Sequence, residues 1–240
     1  MFNGFKKLVR KTVYKLLPPP FTRNSYSQSG EDVIVDFLFR GIGLSRPAYL
    51  DIGTNNPTWG NNTFLFYENG SRGVLVEADE TIIPLIQTHR TGDKILNIGV
   101  GLSEQKEADF YIFDVSGIHT FNKEEAEERD RVGVHKIVKV AKVPLKPIND
   151  IIKENFDSYP DFLSIDIEGL DLAVLQSLDF SKYPIPVICS ETCTYSENHI
   201  KPKDPAIAGF MATQGYFIYA DTYINTIFVN KNWFYNSKIS

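Results

Sequence analysis

The chain has 240 residues, 42% of them hydrophobic and 13% aromatic, with a formal net charge of −5. This length and apolar content suit one α/β domain with a real core and exclude a disordered chain, and the negative charge disfavours a nucleic-acid binder. No apolar run reaches the roughly 18 residues of a membrane span, and Cys189 and Cys193 make no disulfide framework, so we expect a cytoplasmic protein.

The first 17 residues differ from the rest of the chain. Apolar side chains recur there at helical spacing from Phe2 to Leu16, five Lys and Arg residues accompany them without an acid, and three prolines follow. This pattern predicts a basic amphipathic helix and a proline linker over residues 1–20, ahead of a domain over residues 21–240. Such a helix would make a peripheral contact with the cytosolic face of the inner membrane through residues 1–17. The alternatives are a helix docked on its own domain and a frayed terminus.

The middle of the chain alternates between helical and strand patterns. A helix is predicted over Tyr26–Phe39, where apolar residues recur on one face. Continuous apolar runs are typical of parallel strands buried on both faces. The pattern predicts the strands Ala48–Ile52, Gly73–Ala78, Lys94–Val100, Phe162–Ile167 and Val187–Glu191, and the helices Asn61–Asn69, Thr81–Arg90, Ile148–Asn155, Leu170–Ser177 and Pro205–Thr213.

Two regions depart from this alternation. Residues 107–143 contain two strand patterns, Ala108–Phe113 and Ile137–Val143, around the charged segment Lys123–Arg131, and we interpret them as an insertion over the sheet face and a candidate lid. The last two strands, Tyr216–Ala220 and Thr226–Asn230, are joined by a link too short for a parallel crossover, so they form an antiparallel hairpin. The prediction is a Rossmann-like α/β fold: a mostly parallel seven-stranded sheet that ends in an antiparallel hairpin, with an insertion after strand three.

The ends of the first two strands point to a nucleoside-like ligand. Gly53 follows Asp51 at the end of the first strand and allows close backbone approach, and Glu77 at the end of the second can accept hydrogen bonds from ribose hydroxyls. A dinucleotide site would need further glycines, since pyrophosphate sits against a helix N-terminus, but Asn55, Asn56 and Pro57 follow here. The loop is therefore suited to a ligand without pyrophosphate.

Several motifs together resemble the FkbM family of methyltransferases over residues 26–230. They are the segments Tyr26–Asp32, Leu50–Gly53, Val76–Asp79, Asn97–Gly101, Ser116–Phe121 and Ser164–Gly169, the last with the family's Asp-x-Glu-Gly. The resemblance implies a class I methyltransferase fold, S-adenosylmethionine as cofactor and O-methylation of a sugar or natural product. The cofactor-binding set is then Gln28, Asp51, Gly53, Thr54, Asn55, Glu77, Ala78, Gly99, Val100 and Asp166. The segment Asn55–Gly60 departs from the family's pattern, in which a glycine follows sooner.

Three residues are candidates for the catalytic chemistry. Asp166 and Glu168 flank one residue near the end of the fourth strand, so alternation places them on one face, and His119 lies at the start of the candidate lid. Each of the three could act as the base that takes a hydroxyl proton. Alternatively, Asp166, Glu168 and Glu191 could hold Mg²⁺, which prefers oxygen ligands, or a carboxylate could cap a helix or bind the cofactor's ammonium group.

The sequence thus predicts an S-adenosylmethionine-dependent O-methyltransferase that acts on a hydroxyl of a sugar or glycan acceptor and binds no nucleic acid. Two other functions stay open on the same fold. One is an NAD(P)-dependent oxidoreductase, which the loop with a single glycine and the terminal hairpin disfavour. The other is a non-catalytic nucleotide-binding module, because a fold does not by itself establish a function.

Overall fold

The computed structural model of the protein describes residues 23–102, 105–115, 117–167, 169–193, 203 and 205–237. Both the predicted N-terminal helix with its membrane contact and Glu168 lie outside the described residues. Within the described part of the chain, no helix is long and apolar enough to cross a membrane.

The chain folds into eighteen described elements. They are, in order, α1 (Glu31–Gly41), β1 (Tyr49–Ile52), α2 (Phe64–Glu68), β2 (Gly73–Val76), α3 (Ile83–His89), β3 (Lys94–Leu96), β4 (Gly99–Gly101), β5 (Glu107–Phe113), α4 (Lys123–Val132), β6 (Ile137–Pro147), α5 (Ile148–Asn155), β7 (Phe162–Ile165), α6 (Asp171–Ser177), β8 (Val187–Glu191), α7 (Pro205–Thr213), β9 (Tyr216–Asp221), β10 (Asn225–Asn230) and α8 (Lys231–Asn236).

Seven strands form the main sheet, in the order β3-β2-β1-β7-β8-β10-β9. The pairs from β3 to β8 are parallel, whereas β10 is antiparallel to both β8 and β9. This confirms the mostly parallel seven-stranded sheet that ends in an antiparallel hairpin. Two clusters of buried apolar side chains, one on each face of the sheet, form the core around β1 and β7, as expected for strands covered on both sides.

The predicted third strand, Lys94–Val100, is in fact two strands. Only β3 joins the main sheet, and β4 pairs in parallel with β6, which is antiparallel to β5. The chain leaves the main sheet at Asn97, whose side-chain amide donates to the carbonyls of Glu77 and Ala78 and so replaces the backbone ladder there. The segment 107–143 therefore belongs to a second, three-stranded sheet with its own apolar cluster. Its action as a lid stays a prediction.

Polar side chains near the helix starts shorten two predicted helices. The helix predicted from Tyr26 begins at Glu31, because the Asp32 carboxylate accepts hydrogen bonds from the Tyr26 amide and from two serine hydroxyls and holds residues 25–30 as a loop. The helix predicted over Asn61–Asn69 begins at Phe64, because Asn61 and Thr63 direct their side chains to buried partners. The strands predicted to reach Ala78 and Ile167 end at Val76 and Ile165, and α8 was not predicted.

Candidate active site

A cavity of about 650 Å³ lies at the carboxyl ends of β1, β2, β7 and β8. Ligands of open α/β sheets bind at this edge. The cavity brings together most of the residues that the sequence singled out. Those that line it are Gln28, Gly53, Thr54, Asn55, Glu77, Ala78, Gly99, Val100, His119, Asp166 and Glu191.

Gly53 lets two strands approach each other closely beneath the cavity. Its φ of +82° lies in the left-handed region, and a Cβ built there would lie 1.9 Å from the carbonyl oxygen of Asp166. The Asp166 amide in turn donates to the Ile52 carbonyl at 3.0 Å. No side chain fits between the end of β1 and the end of β7, so this position requires glycine.

Asp51 does not line the cavity. Its carboxylate is 3% exposed and accepts hydrogen bonds from Thr63 Oγ1 at 2.8 Å and Asn61 Nδ2 at 3.1 Å. Thr63 also accepts a hydrogen bond from Arg90, which is fully buried and forms a 2.7 Å ion pair with Asp93. The prediction that Asp51 binds the cofactor directly therefore gains no support from its side chain, which belongs to a network behind β1.

Glu77 holds the loop that follows β1. One carboxylate oxygen accepts from the Asn55 amide and the other from the Asp79 amide, each at 2.8 Å. Burial raises the pKa of Glu77, although these two backbone donors oppose the shift. Each carboxylate oxygen keeps a second lone pair for a ligand hydroxyl.

Asp166 and Glu191 form a pair of carboxyl groups in the cavity, at the ends of the neighbouring strands β7 and β8. Their side chains lie within hydrogen-bonding reach of each other, and a hydrogen bond between two carboxyl groups needs a proton on one of them. Burial raises the pKa of Asp166 to about 6, the hydrogen bond from Glu191 lowers it in part, and the negative charges of Asp51 and Glu31 raise it further. The pair can thus hold or accept a proton near neutral pH.

Both ring nitrogens of His119 are engaged. Nδ1 accepts a hydrogen bond from the Phe113 amide at 3.2 Å, so the proton of the neutral ring lies on Nε2, which faces an Asp79 oxygen at 3.4 Å. Burial raises the pKa of Asp79, but hydrogen bonds from His119 and Thr81 outweigh burial and bring it to about 2. In this arrangement His119 has no lone pair left to take a proton from an acceptor.

The charge of the cavity suits a cationic ligand. Glu77, Asp79, Asp166 and Glu191 line it, and none of the described residues in its wall is Lys or Arg. A cleft lined by one sign of charge favours ligands of the opposite sign. S-adenosylmethionine carries a sulfonium and an ammonium group, so it fits these residues, whereas a pyrophosphate would be repelled.

Further residues of the cavity wall were not predicted from the sequence. Ile98, Phe110 and Phe121 supply apolar surface to the cavity wall, and Trp59, Cys193 and Ile224 also line the cavity. Phe121 lies in a motif that the resemblance had already marked, Ser116–Phe121. Phe110 gave no signal beyond strand alternation, because only the second sheet brings it to the cavity.

Among the described residues, no three His, Cys, Asp or Glu side chains come together as metal ligands. Asp166 and Glu191 are neighbours, but Glu168, the third predicted ligand, lies outside the described residues. The predicted Mg²⁺ site therefore gains no support from this arrangement.

Comparison with solved structures gives low similarity to several methyltransferases. Magnesium protoporphyrin IX methyltransferase from Synechocystis PCC 6803 with bound SAM is 11% identical with a TM-score of 0.44, over 84% of this chain and 78% of that one. An O-methyltransferase from Bacillus cereus in complex with SAH is 14% identical with a TM-score of 0.43, over 94% and 90%. The comparison with curated proteins finds no match.

The decisive comparison is with protein families. The methyltransferase FkbM domain matches residues 51–218, about 70% of the chain, from β1 into β9. This span contains the strand ends that form the cavity, with Gly53, Glu77, Asp166 and Glu191. The chain therefore belongs to the FkbM methyltransferase family and is an S-adenosylmethionine-dependent methyltransferase.

Proposed function

We propose that this enzyme is an O-methyltransferase that acts on a hydroxyl of a sugar or glycan acceptor, with the Asp166–Glu191 pair as the group that takes the hydroxyl proton. The observation that carries the proposal is the pair itself. It lies in the cavity at the ends of β7 and β8, and Asp166 contacts the Gly53 turn through its backbone. A base is needed because a neutral sugar hydroxyl is a poor nucleophile.

The residues around Glu77 are proposed to hold the cofactor. Glu77 would accept hydrogen bonds from the ribose, Ile98, Val100 and Phe121 would flank the adenine, and Gly53 and Gln28 would contact the amino-acid part. When bound, S-adenosylmethionine supplies the methyl group on a sulfonium. The chain's own contribution is then to bind, to orient and to exclude water, and positioning of this kind can account for much of the rate.

The pKa of Asp166 fits the role of a base. At pH 7 a group with a pKa of about 6 is mostly ionised, yet it binds a proton far more readily than an ordinary aspartate does. Asp166 would take the hydroxyl proton of the acceptor, whose oxygen would receive the methyl group as the bond from that group to the cofactor's sulfur breaks. Glu191 is hydrogen-bonded to Asp166, so the proton can be shared between the two carboxyl groups and passed to solvent.

The test is a transfer assay with S-adenosylmethionine tritiated in the methyl group and a panel of methyl hexopyranosides as acceptors. We expect label in at least one glycoside, micromolar binding of S-adenosylhomocysteine and no binding of NAD by calorimetry. EDTA should leave the rate unchanged, because carboxyl groups that share a proton are not both free to bind Mg²⁺. Label in phenolic but not in glycoside acceptors would contradict the sugar acceptor, and loss of transfer with EDTA, restored by Mg²⁺, would reinstate the metal.

A further inference from the structure

Trp59 is an exposed indole at the wall of the active-site cavity. It is one of two tryptophans in the chain, and its side chain is 70% exposed. It lies in the segment Asn55–Gly60, where the sequence departs from the family's pattern. A large exposed aromatic side chain beside a cavity suggests a ligand that covers it.

The turn that carries Trp59 is held in one conformation from within. The Asn56 side-chain oxygen accepts hydrogen bonds from the amides of Thr58 and Trp59, at 3.0 and 3.2 Å. Gly60 follows with a φ of +61°, in the left-handed region. The Asn61 amide then donates to the Tyr26 carbonyl at 2.9 Å.

The turn is also anchored from below by the buried Arg90. This guanidinium donates to the Pro57 carbonyl at 3.1 Å and to Asn61 Oδ1 at 3.3 Å, on either side of Trp59. A buried cation is costly and is kept only where it is well paired. The indole is therefore presented at the cavity by a rigid support, which limits the entropy that a ligand must remove on binding.

The segment that carries Trp59 is bonded to Glu77 at its start, through the Asn55 amide, and to the Tyr26 carbonyl just after its end, through the Asn61 amide. Its turn contacts the segment 26–28, and Glu31, just beyond, is hydrogen-bonded to Asn225 at the start of β10, beside β8. Glu77 follows β2, three strands from β8, a separation of roughly 14 Å at the usual strand spacing. The carboxyl pair lines the same cavity as Trp59, and Glu191 ends β8.

We propose that Trp59 is a specificity-determining residue of the acceptor site, where its indole stacks on the apolar face of a pyranose ring. The inference rests on the proposed function. A pyranose ring has a face of C–H groups, which the electron-rich face of an indole attracts, and an edge of hydroxyls, which carboxylates bind. Trp59 and the Asp166–Glu191 pair, which line the same cavity, supply both surfaces.

The test compares Trp59→Ala with Phe37→Ala. Phe37, on α1, is a matched control because it is 73% exposed, like Trp59, but lies outside the cavity. For a methyl hexopyranoside that the wild type methylates, Trp59→Ala should raise KM about tenfold, as expected if roughly 60 Å² of indole surface is covered. Trp59→Phe should recover part of the loss. The Kd of S-adenosylhomocysteine should change less than twofold, and Phe37→Ala should change neither value.

A second measurement uses Trp59 as a reporter. In Trp233→Phe, Trp59 is the only tryptophan, and its fluorescence should change when the same glycoside is added in the presence of S-adenosylhomocysteine. Transfer with an unchanged KM in Trp59→Ala, or a parallel loss of S-adenosylhomocysteine binding, would overturn the inference and leave the proposed function intact. If the wild type methylates no glycoside, the proposed acceptor class is wrong.

Discussion

Two clusters of charged side chains lie near the central strands, and they differ in how their charges are compensated. Behind β1, Arg90 donates to Asp93, and through Thr63 and Asn61 it is linked to Asp51. In the cavity, Asp166 and Glu191 are neighbours, and none of the described residues in the cavity wall is Lys or Arg. The first cluster is neutralised by the protein itself, whereas the second is complementary to a cationic ligand.

The contrast between Asp51 and Asp166 suggests a criterion that separates a structural carboxylate from one proposed to act in catalysis. Burial raises the pKa of both Asp51 and Asp166, but the positive charge of Arg90 lowers that of Asp51, and the hydrogen bonds from Thr63 and Asn61 add to this effect. Such a network keeps a fixed protonation state and holds the chain in place. Asp166, with a pKa raised to about 6, is poised near neutral pH, as acid–base chemistry requires.

The largest effect is expected on removal of the cation behind β1. Arg90→Met leaves Asp93 buried without its partner, so the free energy of unfolding should fall by about 3–5 kcal/mol, or the protein should not fold. Urea denaturation measures this. The matched control is Arg131→Met, which breaks an ion pair with Glu128 that is exposed on both sides and should leave the free energy of unfolding nearly unchanged. Equal losses of unfolding free energy in the two variants would show that the buried ion pair contributes no more to stability than an exposed one.

Removal of the Asp166 carboxylate from the cavity should stabilise the folded protein, in contrast to removal of Arg90. Asp166→Asn should lower kcat by roughly 10²- to 10⁴-fold, because the proposed base is lost, while S-adenosylhomocysteine still binds. The same variant should be more stable than the wild type at pH 8, by roughly 1–3 kcal/mol. The folded-state pKa is raised from 3.8 to about 6, so ionisation of Asp166 costs stability as the pH rises through that window. A variant that is less stable at pH 8 would show that Asp166 is structural.

The pH profile separates the two members of the pair. The rate should rise with pH through about 6, as Asp166 loses its proton. Because the hydrogen bond from Glu191 lowers the pKa of Asp166, Glu191→Ala should move this limb to higher pH, whereas Glu191→Gln keeps a donor and should move it less. Rate profiles of the two variants measure the shift. A limb that stays in place in Glu191→Ala would exclude this coupling.

The smallest effect is expected at His119. Its two ring nitrogens are directed to Phe113 and Asp79, so His119→Gln should change kcat by less than about tenfold. The Kd of S-adenosylhomocysteine should rise instead, because Asp79 loses a partner beside the proposed adenosine subsite. Steady-state kinetics and calorimetry measure both values. A loss of kcat as large as that of Asp166→Asn would make His119 the base.

Much of the fold followed from local patterns. Buried parallel strands are continuous apolar runs, and the link between β9 and β10 is too short for any connection but a hairpin. The motifs also placed Gly53, Glu77 and Asp166 at strand ends, and the parallel sheet brought them to one edge. The split of the predicted third strand was not visible, because the bonds of Asn97 to Glu77 and Ala78 join residues distant in sequence.

The sequence by itself determined the architecture, the family and most of the residues that were predicted to meet at one cavity, since all three depend on local periodicity and on motifs. Tertiary structure decided what each charged residue does. Asp51 and Asp166 are similar aspartates near the ends of adjacent strands, but only folding places Thr63 and Asn61, with Arg90 behind them, against the first and Glu191 against the second. The effect of burial on a charge depends on the partners that the fold supplies, and those partners are far away along the chain.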